Sequence, residues 1–185
     1  MDREEALAIF KKRTADLTPA AIDDAQWPTI RVRVRTFAGF VDIPEVLISS
    51  VRSVVLRRGQ VVVIRERSGE NHVTPGGRRE AGEGIETTAR REVLEECGWH
   101  IDRLRPIGCF HIVPLDTAPP PNFQYFWGEM IHLVHVSEGI RYEAAARDRT
   151  QIEEGSSLKS IKRAMAAIPA GQRAMLRAAC LMLRA

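Results

Sequence analysis

Between residues 29 and 37 the chain reads TIRVRVRTF. Apolar and basic positions alternate there, which is the period of a half-buried strand. Arg31, Arg33 and Arg35 then share one face. That face is either a solvated one that discourages edge pairing or a contact for phosphate or a second subunit. Residues 50–67, SVRSVVLRRGQVVVIRER, predict two strands around a turn at Arg58-Gly59. A strand broken near Pro106 is expected over 101–115, and a long strand with an aromatic entrance, FQYFW, over 123–136. Helical spacing places Ala6, Ile9 and Phe10 on one side of 3–13, and Ile85, Ala89, Val93 and Cys97 on one side of 85–97. Gly98 follows as a helix stop. Two further helices are expected over 158–168 and 171–185, separated by Pro169. Turn formers make 68–77 a loop, and DTAPPPN at 116–122 a stiff one. Pro19 and Pro28 bracket a weaker segment, and 137–156 is polar.

Composition narrows the class. The 185 residues suffice for one domain with a sizeable core and decorations at its ends. With 44% hydrophobic and 28% charged residues the chain is an ordinary globular one. Its net charge of +3 is too mild to argue for nucleic-acid binding. The basic residues are mostly Arg, which suits phosphate contacts, although a GC-rich genome gives the same bias. Cys97, Cys109 and Cys180 form no CxxC and no disulfide framework. They read as buried reduced thiols, so a cytoplasmic setting is expected. The charged start MDREEALAIFKKR has no signal-peptide core, and no apolar run approaches a membrane span.

The chemistry concentrates in residues 76–99, GGRREAGEGIETTARREVLEECGW. Glu92, Glu95 and Glu96 fall on one helical face, where like charges repel and cost stability. Arg90 and Arg91 offset part of that charge. A hard divalent cation such as Mg²⁺ offsets it better, because it takes carboxylate oxygens together with substrate phosphates. Gly76, Gly77, Gly82 and Gly84 let the preceding backbone approach a ligand closely. Spacing alone leaves two readings open, a solvated charged face and a metal site.

The complete pattern resembles the Nudix box, G-x5-E-x7-R-E-U-x-E-E-x-G-U with U a bulky apolar residue. Gly77, Glu83, Arg91-Glu92, Glu95-Glu96 and Gly98 occupy its seven fixed positions. At roughly one in twenty per position, a chance match is on the order of one in a billion. Trp99 fills the last apolar position, where an aliphatic residue is commoner. The resemblance implies an α/β fold, an α/β/α sandwich around a mixed sheet, with an N-terminal extension over 1–45 and a Nudix hydrolase domain over 46–185 that includes the C-terminal helices. It implies Mg²⁺-dependent hydrolysis of a nucleoside diphosphate linked to another moiety, with Mn²⁺ as an alternative metal. Glu92, Glu95, Glu96 and the carbonyl of Gly77 are the implied metal ligands. Arg91 and Glu83 are expected to orient them.

A carboxylate must take a proton from the attacking water. Glu92 serves from inside the box; outside it the candidates are Glu153 and Glu154, in a stretch placed just before a helix, and then Glu129. Phe123, Tyr125, Phe126 and Trp127 read either as a stacking surface for a base or sugar or as core. His132 and His135, three apart on a strand, point to opposite faces and so make no paired metal site. The expected partner is a small nucleotide diphosphate, with no membrane and little support for nucleic acid. A homodimer completed by the 29–37 strand is a further expectation. The competing functions are a non-catalytic nucleotide sensor of the same fold, RNA 5′-pyrophosphate removal, and an isomerase that would need Cys109 as a reactive group.

Overall fold

Alternating apolar residues build one mixed sheet, and helices cover both of its faces. The computed structural model describes residues 1–27, 29–123, 126–148 and 153–182, with the backbone alone for Glu153. The strands are β1 (Ala21–Trp27), β2 (Ile30–Ala38), β3 (Ile48–Arg57), β4 (Gln60–Glu66), β5 (Asn71–His72), β6 (Gly76–Arg78), β7 (Trp99–Pro114), β8 (Met130–Tyr142) and β9 (Glu153–Ser160). Their order is β1-β2-β7-β8-β3-β4-β5, with β6 added to β3 and β9 to β4. Only β3 and β8 run parallel among these pairs. The α/β class, with a mixed sheet between helical layers, is the expected one.

Period two along β3 divides the core. Val51 and Val55 face helix α2 (Ile85–Cys97), which contributes Ala89, Val93 and Cys97. Val54 and Leu56 face α3 (Ile161–Ala167) and α4 (Ala170–Met182), which contribute Ala164, Met175, Leu176 and Ala179. Helix α1 (Arg3–Thr14) seals one end of the α2 face, where Ala6 and Phe10 pack on Phe37, Leu47, Cys109 and Ile131. Ile9 is only partly buried, so the inner face of α1 is centred on Ala6 and Phe10 rather than on all three expected residues.

The Arg58-Gly59 turn closes β3 onto β4 with positive φ at both residues, the geometry of a two-residue hairpin. Helix α2 spans the expected residues and ends at Gly98, whose φ of 73° is left-handed. Arg31 and Arg33 do lie on an outward face, tied to Asp116 and Asp24 at 2.8 Å each.

Several expectations are corrected. The long strand begins at Met130 and runs to Tyr142, so Phe123, Phe126 and Trp127 precede it outside the strand, and part of the polar stretch is strand. Strand β7 is unbroken at Pro106, which is absorbed where its register with β8 shifts. Residues 158–160 belong to β9, and Glu153 and Glu154 lie on that strand rather than beside a helix. The weak segment between Pro19 and Pro28 is strand β1, and the 68–77 loop contains β5 and the start of β6. Residues 1–45 supply α1, β1 and β2, and β2 is hydrogen-bonded to β7 within the common sheet. Cys97 and Cys109 are buried, whereas Cys180 is partly exposed. Among the described residues no helix is long and apolar enough to cross a membrane.

Candidate active site

Helix α2 and strand β6 meet at one end of the sheet, and Gly77 allows the meeting. A Cβ at residue 77 would lie 2.4 Å from Glu92 Oε2 and 2.6 Å from its Cδ. Only glycine leaves that space to the carboxylate. One position earlier, the Gly76 amide donates to Glu96 Oε2 at 2.9 Å. The loop therefore touches two of the three clustered carboxylates, through two consecutive residues.

Arg91 gathers the acidic residues. Its Nε and Nη2 donate to the two oxygens of Glu83 at 2.9 Å each. Its Nη1 donates to Glu92 at 2.9 Å and to Glu95 at 3.1 Å. Glu83 also accepts from Thr88 Oγ1 at 2.8 Å and from the Glu80 amide at 3.2 Å. The Arg91 fork and these further donors pull the Glu83 pKa down to about 2. Arg91 in turn holds its own proton more tightly. Glu92 moves the opposite way: burial raises its pKa, and the nearby charges of Arg91 and Arg52 only partly oppose that. Glu92 and Glu96 are buried; Glu95 is partly exposed. Beside the loop a groove of about 540 Å³ opens, lined by Glu45, Ser49, Arg79, Glu80 and Glu83.

The donor set suits a hard cation, since it consists of three carboxylates and a loop carbonyl. Among the described residues, however, no three Asp, Glu, His or Cys side chains are gathered closely enough to hold a metal ion. The reason is visible in the hydrogen bonds. The guanidinium of Arg91 takes one oxygen each of Glu92 and Glu95, and Glu96 turns to the Gly76 amide. The other oxygens of Glu92 and Glu95 are left for a further ligand. The residues fit a metal in kind, as hard oxygen donors around one glycine loop.

The remaining candidates are dispersed. Glu129 Oε1 accepts from Lys11 Nζ at 2.5 Å, and its Oε2 is hydrogen-bonded to His111 Nε2 at 2.7 Å, under helix α1. Glu154 is exposed and pairs with Arg65 at 3.1 Å. The side chain of Glu153 and the whole of Tyr125 lie outside the described residues. Phe123 and Trp127 pack edge to face, 5.6 Å between centroids, against the α4-side core. Phe126 is exposed, with the Arg3 guanidinium 4.0 Å above its ring. Cys109 is fully buried, and burial pushes its thiol up to about 12, which removes it as a reactive group. Sequence reasoning missed Arg52. It lies on an ordinary-looking strand, yet its charge reaches Glu92 and its Nη1 donates to the Thr74 carbonyl at 3.2 Å. Nothing local marks it; only the β3–β6 pairing brings it to the box.

A family model described as the NUDIX domain matches residues 47–177. The chain is similar in fold to a Bacillus subtilis pyrophosphohydrolase, with 16% identity, 70% of this chain and 72% of that one covered, and a TM-score of 0.53. A NUDIX hydrolase from Nitrosomonas europaea gives 18% identity, 65% and 77% coverage and a TM-score of 0.52. A MutT NUDIX hydrolase from Burkholderia pseudomallei gives 16% identity, 69% and 94% coverage and a TM-score of 0.51. No curated protein sequence matches the chain.

Proposed function

The chain belongs to the NUDIX family of pyrophosphate-bond hydrolases, and on that premise we propose that it cleaves the diphosphate of a nucleoside diphosphate linked to another moiety, with Mg²⁺. The observation that carries this is the acidic cluster around Arg91, with Glu83, Glu92 and Glu95 on one guanidinium and Glu96 on the Gly76 amide. A solvated charged face has no use for burying Glu92 and Glu96 against a glycine loop, because burying carboxylates costs free energy.

In this proposal Glu92, Glu95, Glu96 and the Gly77 carbonyl hold Mg²⁺, or Mn²⁺ in its place. The bound ion supplies neutralisation of phosphate oxygens and a lowered pKa for water. Glu83 fixes Arg91, and Arg91 fixes Glu92 and Glu95, so the two positioning residues act through the ligands. The water's proton goes to Glu92. Both oxygens of Glu129 are engaged, and Glu154 is committed to Arg65 in solvent. Phe123 and Trp127 are proposed to border the substrate, which is a small molecule; Tyr125, the third residue expected there, lies outside the described residues. The proposal keeps residues 1–45 as an extension on a hydrolase domain over 46–185, in a cytoplasmic protein that forms a homodimer. A monomer at working concentration would remove the last point.

The test is a hydrolysis panel of ADP-ribose, nucleoside triphosphates, dinucleoside polyphosphates, nucleotide sugars and RNA with a 5′-triphosphate. It is run with and without Mg²⁺ and with Glu95→Gln and Glu96→Gln. Metal-dependent cleavage of a small nucleotide, lost in both variants, is expected. Tight nucleotide binding without turnover would sink the proposal in favour of a sensor.

A further inference from the structure

Trp27 on β1 and His132 on β8 are separated by β2 and β7 in the sheet order. At the usual spacing of about 4.8 Å per strand, a flat sheet would hold β1 and β8 about 14 Å apart. The two ring centroids are 6.0 Å apart and their planes differ by 10°. The sheet therefore curls, and the β1–β2 hairpin brings the indole over β8 on the α4 side.

What lies beside this stack is a second cluster. Ser50 is flanked by His132 on one side and by Arg78 on the other. The residue is 2% exposed, and among the described residues its hydroxyl has no hydrogen-bond partner. Buried hydroxyls are nearly always satisfied, so this one points to a ligand. Arg52 is two residues on, on the same face of β3 as Ser50. Burial lowers the pKa of His132, the charges of Arg52 and Arg78 lower it further, and Arg52 also reaches Glu92. The cluster thus runs from an aromatic stack, through a lone hydroxyl and two cations, to the box carboxylates.

We propose that this cluster takes the base-bearing end of the substrate: Trp27, stacked on His132, extends its partly exposed indole to a planar base, Ser50 supplies a hydrogen bond, and Arg52 and Arg78 meet the adjoining phosphate. The inference rests on the hydrolase reading for the position of the phosphates. Trp27 lies outside the 47–177 family match. Selection for a diphosphate carrying an aromatic base then draws on the N-terminal hairpin through Trp27 and on the matched domain through Ser50, Arg52, Arg78 and His132.

The test is calorimetric binding of the four common nucleoside triphosphates and of base-free tripolyphosphate, with Mg²⁺, in the Glu95→Gln background. The quantity read is the preference for the best nucleotide over tripolyphosphate. Trp27→Leu is expected to cut that preference about tenfold or more, the loss of one stacking platform. Trp27→Phe keeps it within about threefold, because a ring remains. Ser50→Ala, which removes no packing, lowers the same preference and serves if Trp27→Leu does not fold. An unchanged preference in both Trp27→Leu and Ser50→Ala overturns the inference. So does a parent protein that shows no preference for nucleotide. Failure of turnover on every diphosphate, with the preference intact, would sink the hydrolase function and leave this subsite standing.

Discussion

Gly76 and Gly77 are neighbours, and the same substitution at each is expected to fail in a different way. In Gly77→Ala the new methyl lies 2.4 Å from Glu92 Oε2, where ordinary contact begins at 3.4 Å. The obstacle is the end of a side chain, so the backbone stays and Glu92 moves by about 1 Å, the difference between those distances. Such a shift takes the Arg91–Glu92 hydrogen bond from 2.9 Å to beyond bonding range. Charge-assisted bonds contribute about 1.5–3 kcal/mol; with Arg91 23% exposed, about 1 kcal/mol is the expected stability loss. Activity suffers far more, since a misplacement of about 1 Å costs on the order of a hundredfold in rate. In Gly76→Ala the methyl meets backbone instead, 2.2 Å from the Val51 carbonyl oxygen and 2.5 Å from Arg52 Cα, at a φ of 143°. The β3–β6 pairing must open, and a loss above about 3 kcal/mol is expected. Urea denaturation and kcat/KM on the best substrate measure both. A Gly77→Ala protein with the parent rate would refute the reasoning, as would equal stabilities for the two variants.

Other consequences are as direct. The Glu83 pKa is depressed to about 2, so its contribution is present above the unfolded value of about 4.5 and is lost as pH falls towards 2; Glu83→Gln should cost about 1–2 kcal/mol at pH 7, after discounting for solvent, and urea midpoints of the two proteins should converge between pH 4.5 and 2. A gap that persists to pH 2 would count against the Arg91 fork as its source. Phe10→Ala empties a fully buried site beneath α1, with an expected loss of about 3–5 kcal/mol visible in thermal unfolding. A thiol reagent at pH 8 should label Cys180 quickly and leave Cys97 and Cys109 untouched until the protein unfolds; rapid labelling of Cys109 would contradict its burial.

How far the sequence could be read depended on how local each signal was. Helix α2 was legible to the residue because apolar positions recur at its own period and Gly98 ends it. The β3–β4 hairpin was legible for the same kind of reason, a two-residue turn between valine-rich runs. Strand β1, AIDDAQW, was not, since an edge strand with little to bury carries little hydrophobic pattern. Strand β9, EEGSSLKS, lacks β-branched and aromatic residues and owes its form to pairing with β4. The aromatic run 123–127 looked like strand by propensity, but Gly128 at a φ of 147° precedes the true start. In the site, the box carboxylates, Gly77 and Arg91 were legible because they share one continuous motif. Arg52, Ser50 and the Trp27–His132 stack are assembled across the sheet, and no spacing along the chain announces that.

The two anchors of α1 have a further consequence, for the order in which the protein is made. Arg3 and Lys11 hold the backbone and side chain of Glu129, contacts that span 126 and 118 positions. The Ser53–Ser137 hydroxyl pair on the parallel strands β3 and β8 spans 84. On the ribosome, which adds about 5–20 residues per second, α1 leaves the exit tunnel many seconds before Glu129 exists. Its Phe10 face has no place to dock until β7 and β8 have arrived. Helix α1, synthesised ahead of the strands it packs on, is seated only after them. Such long-range closure slows folding and exposes nascent chains to capture by other molecules.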